Sequence, residues 1–154
     1  MQTQTRAHPF AIRQTRSVAR WVCPQCDREF ANRQSHVCVT GITVSELLGR
    51  HPAWMGAAYA VIIDHLRSLG PIHEDTVSVG IFLKSDRKVA EFRPRVRTVL
   101  LWFFLPHPLE HPRLGRTERV AAGRYGMTLS LTSAEEVDDQ LLDWLAEAYD
   151  TNTD

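Results

Sequence analysis

Three cysteines and a histidine between residues 23 and 38 constrain this chain more than any other feature. Cys23 and Cys26 are separated by two residues, and after nine further residues His36 and Cys38 form a second short pair. Thiolates and imidazoles are the ligands that zinc takes in a tetrahedral structural site. Segment 20–39 has too few apolar residues to fold alone, and metal binding of about 10 kcal/mol or more can stabilise such a segment. The spacing therefore predicts one structural zinc ion, with no open coordination position, at Cys23, Cys26, His36 and Cys38.

Other interpretations of this segment stay open. A two-cysteine two-histidine finger needs about twelve residues between its pairs and a helical histidine pair, so base recognition by a helix is not expected here. A redox Cys-x-x-Cys motif would need a βαβ context. The third interpretation is three thiols without a metal, beside a histidine that has no role in the site.

An odd number of cysteines in one short segment argues against a disulfide framework and predicts a reducing, cytoplasmic location.

Composition and patterning divide the chain into three parts. The 154 residues carry no net charge, so electrostatic attraction to nucleic acid or a membrane would need a local patch. The longest apolar runs are far shorter than the roughly 18 residues that span a bilayer, and no membrane association is expected. Residues 1–19 are basic, without acids or an apolar core, and are predicted to be a disordered tail. The zinc-binding segment occupies 20–39, and a mixed domain occupies 40–150.

Helix signals appear at both ends of this domain. Thr43 and Glu46 form a capping box for a short helix, and Pro52 opens an amphipathic helix that Gly70 and Pro71 end. A capping box at Ser133 is expected to begin the last helix.

Between the helices, the apolar period is that of strands. Strands are predicted at residues 77–83, 89–93, 98–105 and 125–131, with a proline-rich irregular connection before the last one. The expected fold is α+β, with helices packed on a four-stranded, mainly antiparallel sheet that follows the zinc segment.

Several stretches of residues 40–149 resemble the bacterial family known as domain of unknown function 5655, in which a similar zinc segment often precedes the domain. They are Arg67 to Pro71, Ile81 to Leu83 with Phe92 to Arg95, Leu105 to Pro108 with Pro112 and Arg113, and Trp144 to Tyr149. Members often have a lysine early in the first strand and a histidine in the last, where this chain has Ser78 and either Gly126 or Met127. No activity is established for the family, so the resemblance implies a fold and no reaction. The strand order is also distantly similar to small double-wing proteins for which DNA binding has been proposed, a likeness of fold alone.

One motif is typical of a zinc enzyme, but the residues around it disfavour the structure that such a site needs. Residues His107 to His111 match the H-x-x-E-H string of inverted zincins. That site needs both histidines on one helical face, and Pro108 and Pro112 disfavour a helix there. The chain also lacks a serine elbow or a phosphate-binding glycine loop, so no catalytic residue and no small-molecule cofactor site can be named.

Two surfaces remain as candidates for binding. Arg93, Arg95 and Arg97 recur at period two and could present a basic stripe to phosphates or to an acidic partner, although a solvated hairpin edge is the favoured interpretation. Phe82, Trp102 and Phe104 are predicted on the sheet, whose second face needs a cover. The proline-rich connection, the zinc segment, a second subunit or a ligand could provide it, and intramolecular cover is the leading expectation.

These observations favour a non-catalytic zinc-binding protein that acts as a binding or adaptor module, with an unidentified protein or a second copy of the chain as partner. The alternatives are a nucleic-acid-binding protein that uses Arg93 to Arg97, and a small-molecule enzyme without identifiable catalytic residues.

Overall fold

A computed structural model describes residues 19–38 and 40–154 of the chain. The predicted basic tail therefore lies outside the described residues, except for Ala19. The described residues divide into two compact units, with the boundary between Ser35 and His36.

The described part of the first unit is a small antiparallel hairpin. Its strands are β1 (Trp21–Val22) and β2 (Glu29–Phe30), with Trp21 opposite Phe30. The two rings lie 5.8 Å apart between centroids, and the Arg28 guanidinium lies 5.3 Å from the Phe30 ring. These contacts give a segment with few apolar residues a minimal hydrophobic cluster.

Two of the three helices begin and end where the capping signals predicted. Helix α1 spans Val44–Leu48, and the reciprocal capping box between Thr43 and Glu46 is formed. Helix α2 spans Ala53–Leu69, preceded by Pro52 and followed by Gly70.

The predicted start of the last helix is wrong. A 3₁₀ turn covers Ala134–Glu136, and helix α3 spans Asp139–Thr151. The Asp138 carboxylate caps α3 by accepting from the Leu141 N–H at 3.1 Å, whereas Ser133 makes no capping hydrogen bond. Glu136 instead accepts a hydrogen bond from the Thr132 N–H at 3.2 Å, which removes the acid from the expected capping box.

The expected four-stranded sheet is also wrong, although the α+β class stands. The described residues form a six-stranded antiparallel sheet in the order β3-β4-β5-β6-β8-β7. Its strands are β3 (His73–Val77), β4 (Gly80–Lys84), β5 (Lys88–Pro94), β6 (Val99–Leu105), β7 (Leu114–Ala121) and β8 (Arg124–Leu131).

Both unpredicted strands lie at the edges of the sheet. The alternation from Val77 to Leu83 predicted one strand, but the chain turns back at Ser78 and Val79 to form the β3–β4 hairpin. Gly80 permits this turn, since its φ is +151° and a Cβ there would lie 2.2 Å from the carbonyl oxygen of Phe92. Strand β7 is mostly exposed and lacks an apolar alternation, so its sequence is that of a polar edge strand.

The hydrophobic core lies between the helices and one face of the sheet. Every second residue of β6 points into it, from Val99 to Leu105. The helices contribute apolar residues at helical spacing, namely Met55, Tyr59, Ile62 and Leu66 of α2 and Leu141, Leu145 and Ala148 of α3. Trp144 of α3 packs partly buried against Phe103, with the rings stacked 5.8 Å apart.

Residues that carry the family resemblance contact one another at one end of the core. The Tyr149 hydroxyl donates to the Pro71 carbonyl at 2.9 Å, and Arg67 forms a 2.8 Å ion pair with Glu74. A Cβ at Gly70 would lie 2.3 Å from the Tyr149 hydroxyl oxygen. The contacts of Tyr149 therefore join the end of α2 to α3, and the ion pair joins α2 to strand β3, so these residues have a structural role.

Candidate metal centre

The structure brings together the four side chains that the spacing singled out. One ligand atom from each of Cys23, Cys26, His36 and Cys38 lies within 4.8 Å of all the others. Cys23 is 3% exposed and the other three are half-buried. All three cysteines of the chain are described, and none is joined in a disulfide. The cluster could hold a metal ion, whereas the choice of zinc rests on the chemistry of the ligands.

A tight turn positions the first two ligands. The Asp27 N–H donates to the Cys23 carbonyl at 2.8 Å, and the Cys23 N–H donates to the Arg28 carbonyl at 2.9 Å. Asp27 has a φ of +56°, a left-handed conformation that aspartate tolerates better than most residues. The turn thus reverses the chain within a few residues and leaves both thiols on the same side.

The second ligand pair is attached to the larger unit. The Nε2 atom of His36 lies 3.5 Å from the Sγ atom of Cys38. The Cys38 carbonyl accepts from the Ser78 N–H at 3.2 Å, and two residues later the Thr40 N–H donates to the Thr76 carbonyl at 3.2 Å. Backbone hydrogen bonds therefore hold Cys38 beside the end of strand β3.

The ligand set fits zinc by composition and by size. Three sulfur ligands at about 2.3 Å and one nitrogen at about 2.0 Å around a tetrahedral ion stand about 3.5 to 3.8 Å from one another. That spacing falls within the 4.8 Å limit of the cluster. Thiolates with imidazole in a tetrahedron are typical of zinc, whereas calcium and magnesium take oxygen ligands. The protein supplies all four positions, the arrangement of a structural site.

The two histidines of the H-x-x-E-H string bind separate partners. His107 Nε2 lies 2.5 Å from the Glu147 carboxylate of α3, and His107 Nδ1 lies 3.1 Å from the Pro108 carbonyl. His111 packs edge-on against Trp144, with ring centroids 5.1 Å apart, and its Nε2 lies 3.2 Å from the Gln140 amide. Both imidazoles of the proline-rich loop therefore contact helix α3. In the part of the chain that the structure describes, only the Cys/His cluster groups three or more side chains that could bind a metal.

The predicted basic stripe is only partly presented to solvent. Arg93 is bound to the carboxylate of Glu91, with its Nε at 2.8 Å. Arg95 and Arg97 are exposed at the β5–β6 turn, on either side of Val96, which is 85% exposed. Two arginines rather than three are thus available to an anionic partner.

The second face of the sheet carries a cluster of aromatic and charged side chains that sequence reasoning found only in part. Lys88 Nζ lies 4.3 Å from the Phe82 ring, and the Arg124 guanidinium lies 4.4 Å from the Phe104 ring. Glu91 is buried opposite Trp102 and pairs with Lys88 and Arg93. The cations of the sheet itself thus cover part of this face. Glu91 is the cross-strand neighbour of both Phe82 and Trp102, and Arg93 follows it two residues later on the same strand. That period of two is a sequence signal that could have identified the cluster.

This face, as far as the structure describes it, also contains two buried hydrogen-bond donors that lack an acceptor. Within the described residues, the Trp102 Nε1 and Arg124 Nε atoms are buried without a hydrogen-bond partner. The Nη2 atom of Arg124 does donate to the Lys88 carbonyl at 2.6 Å. A ligand with acceptor oxygens would satisfy such donors.

No family model, no curated protein and no solved structure matches this chain. Among the described residues, no helix combines the length and the apolar character needed to cross a membrane.

Proposed function

We propose that this chain is a zinc-binding protein in which Cys23, Cys26, His36 and Cys38 hold one structural zinc ion. The observation that carries the proposal is the convergence of three thiols and one imidazole within 4.8 Å. When bound, the ion supplies folding free energy to a segment that has little hydrophobic core of its own.

We further propose a non-catalytic role as a cytoplasmic binding or adaptor module. A site with four protein ligands leaves no position at which zinc could activate water or a substrate. The exposed β5–β6 turn and the half-buried cations on the second face of the sheet are surfaces suited to recognition. We also propose kinship with the 5655 family, which is supported by the contacts of Gly70 and Pro71 with Tyr149, three residues that carry the resemblance.

Native mass spectrometry of protein purified without chelator tests the metal. We expect one zinc ion per chain, and its loss in Cys26→Ser, which replaces a ligand sulfur by a hydroxyl. The matched control is the double variant His107→Ala with His111→Ala, which removes two imidazoles outside the cluster and should keep the zinc. Metal-free wild-type protein, or zinc loss in the control, would contradict the proposal.

Nucleic-acid binding is the second candidate function, and a specific observation favours it. Exposed Arg95 and Arg97 lie at one end of β5, and the second face of the sheet offers aromatic rings and donors without acceptors. Aromatic rings with flanking cations suit single-stranded nucleic acid.

Fluorescence anisotropy with a labelled single-stranded oligonucleotide tests this candidate. Arg95→Ala with Arg97→Ala should weaken binding several-fold and make its dependence on salt less steep, because each lost phosphate contact releases one fewer counterion. Arg116→Ala with Arg119→Ala removes the same charge from exposed positions on β7. Equal weakening by both pairs would indicate non-specific attraction and contradict the assignment.

A further inference from the structure

The edge of the sheet at β3 is covered by the segment that carries the last metal ligand. β3 is the outermost strand of the sheet. Beyond it, Cys38 accepts from the Ser78 N–H and Thr40 donates to the Thr76 carbonyl, each at 3.2 Å. Residue 38 thus pairs with residue 78 and residue 40 with residue 76, so the two segments run antiparallel. We name Cys38 and Thr40 the edge strap.

The strap is held by contacts at both of its ends along the chain. After it, the buried Thr76 hydroxyl donates to the Ile42 carbonyl at 2.5 Å, and the Ile42 N–H donates to the Thr40 hydroxyl at 3.4 Å. Before it, the anchor is the Cys38 side chain itself, a member of the metal-binding cluster. A residue of the Cys/His cluster therefore lies at one end of the strap, and the contacts of Thr76 hold the other end.

The strap covers the half of β3 that has no charges. The first half carries Glu74 and Asp75, held by Arg67 and Lys84 at 2.8 and 2.7 Å, and charged edge residues discourage the addition of another strand. The second half, Thr76 and Val77, has no charged side chain. Without the strap, the Thr76 carbonyl and the Ser78 N–H would lose their partners, and such an edge is a template for strand pairing.

We propose that the metal holds the edge strap closed over β3, and that loss of the metal uncovers a docking edge for a second copy of this chain. The same edge in two copies pairs antiparallel about a two-fold axis, since each uncovered edge offers one carbonyl acceptor and one N–H donor to the other. The inference rests on the proposed metal site and adds what that site controls.

Hydrogen exchange and light scattering of the full chain, with and without chelator and under a thiol reductant, test the release. We expect the Ser78 and Thr40 amides to exchange at least tenfold faster without metal at low protein concentration, and the mass to double at high concentration. Amides in the middle of β4 should stay protected. A Ser78 amide that remains protected in metal-free protein, or an unchanged mass, would overturn the proposal.

A pair of strap variants separates this proposal from the metal assignment. Thr40→Pro removes the N–H that binds Thr76 and leaves all four ligands in place, so it should keep its zinc and yet double in mass. Thr40→Ser keeps both the N–H and the hydroxyl that the Ile42 N–H binds, and should behave as wild type. A zinc-loaded Thr40→Pro of unchanged mass contradicts the strap, whereas wild-type protein without zinc contradicts the metal site. If Thr40→Pro does not fold, Thr76→Val, which frees the Ile42 carbonyl, should raise the Ser78 exchange rate in zinc-loaded protein, and an unchanged rate would overturn the proposal.

Discussion

The imidazole of His107 lies 2.5 Å from the carboxylate of Glu147, across the interface between the proline-rich loop and α3. The hydrogen bond to Glu147, with a further one to the Pro108 carbonyl, raises the pKa of His107 above its ordinary value of 6.5. The loop is therefore fastened to the helix by a contact that strengthens when the histidine is protonated.

This contact predicts a pH-dependent contribution to stability. Because the folded-state pKa is the higher one, the contribution is complete below the unfolded value of 6.5 and is lost as the pH rises through the folded value. Glu147→Gln should reduce the free energy of unfolding by up to about 1 kcal/mol near pH 5.5, since the pair is exposed, and by less near pH 8.5. Urea unfolding at both pH values measures the difference. Glu135→Gln, at an exposed acid elsewhere, is the control, and an equal loss at both pH values would contradict the prediction.

The observed start of α3 predicts that Asp138 contributes more to stability than Ser133 does. Asp138→Ala should lower the free energy of unfolding by about 1 to 2 kcal/mol, because the Asp138 side chain caps the helix and binds Arg113 at 2.8 Å. Ser133→Ala should change it by less than about 0.5 kcal/mol, since Ser133 makes no capping bond. Chemical denaturation of the two variants compares them, and a larger loss in Ser133→Ala would restore the start that the sequence predicted.

Two glycines predict opposite responses to alanine. Gly80→Ala should destabilise the protein by more than about 2 kcal/mol, because its Cβ would collide with the Phe92 carbonyl and its φ is positive. Gly56→Ala places a methyl group in open space on α2 and should stabilise by up to about 1 kcal/mol. Thermal unfolding followed by circular dichroism should show melting temperatures that move in opposite directions.

Metal removal predicts a local loss of structure. The turn at Cys23 and Asp27 has little hydrophobic support, so its amides should exchange freely when a chelator takes the metal. Strand β6 and helix α2 lie in the core of the larger unit and should keep their protection. Loss of protection at Trp102 and Phe104 of β6 would mean instead that the metal segment supports the sheet. Site-resolved hydrogen exchange distinguishes the two outcomes.

The sequence by itself determined the features that depend on neighbouring residues. The capping box of Thr43 and Glu46 and the bounds of α2 at Pro52 and Gly70 were predicted correctly, because their hydrogen bonds and backbone preferences are local. The candidate ligand set was also identified from spacing, since short chelating pairs carry their geometry with them.

Only the tertiary structure decided the edges of the sheet and the attachments of its loops. The turn at Ser78 and Val79 and the polar strand β7 carry no local signal, since edge strands form through pairing with distant partners and need no apolar alternation. Asp138 caps α3 in place of the predicted Ser133, and it also binds Arg113, which lies 25 residues earlier in the chain. The strap beside β3 likewise joins Cys38 to Ser78. Such hydrogen bonds depend on which residues the fold brings together, and a pattern along the chain does not contain that information.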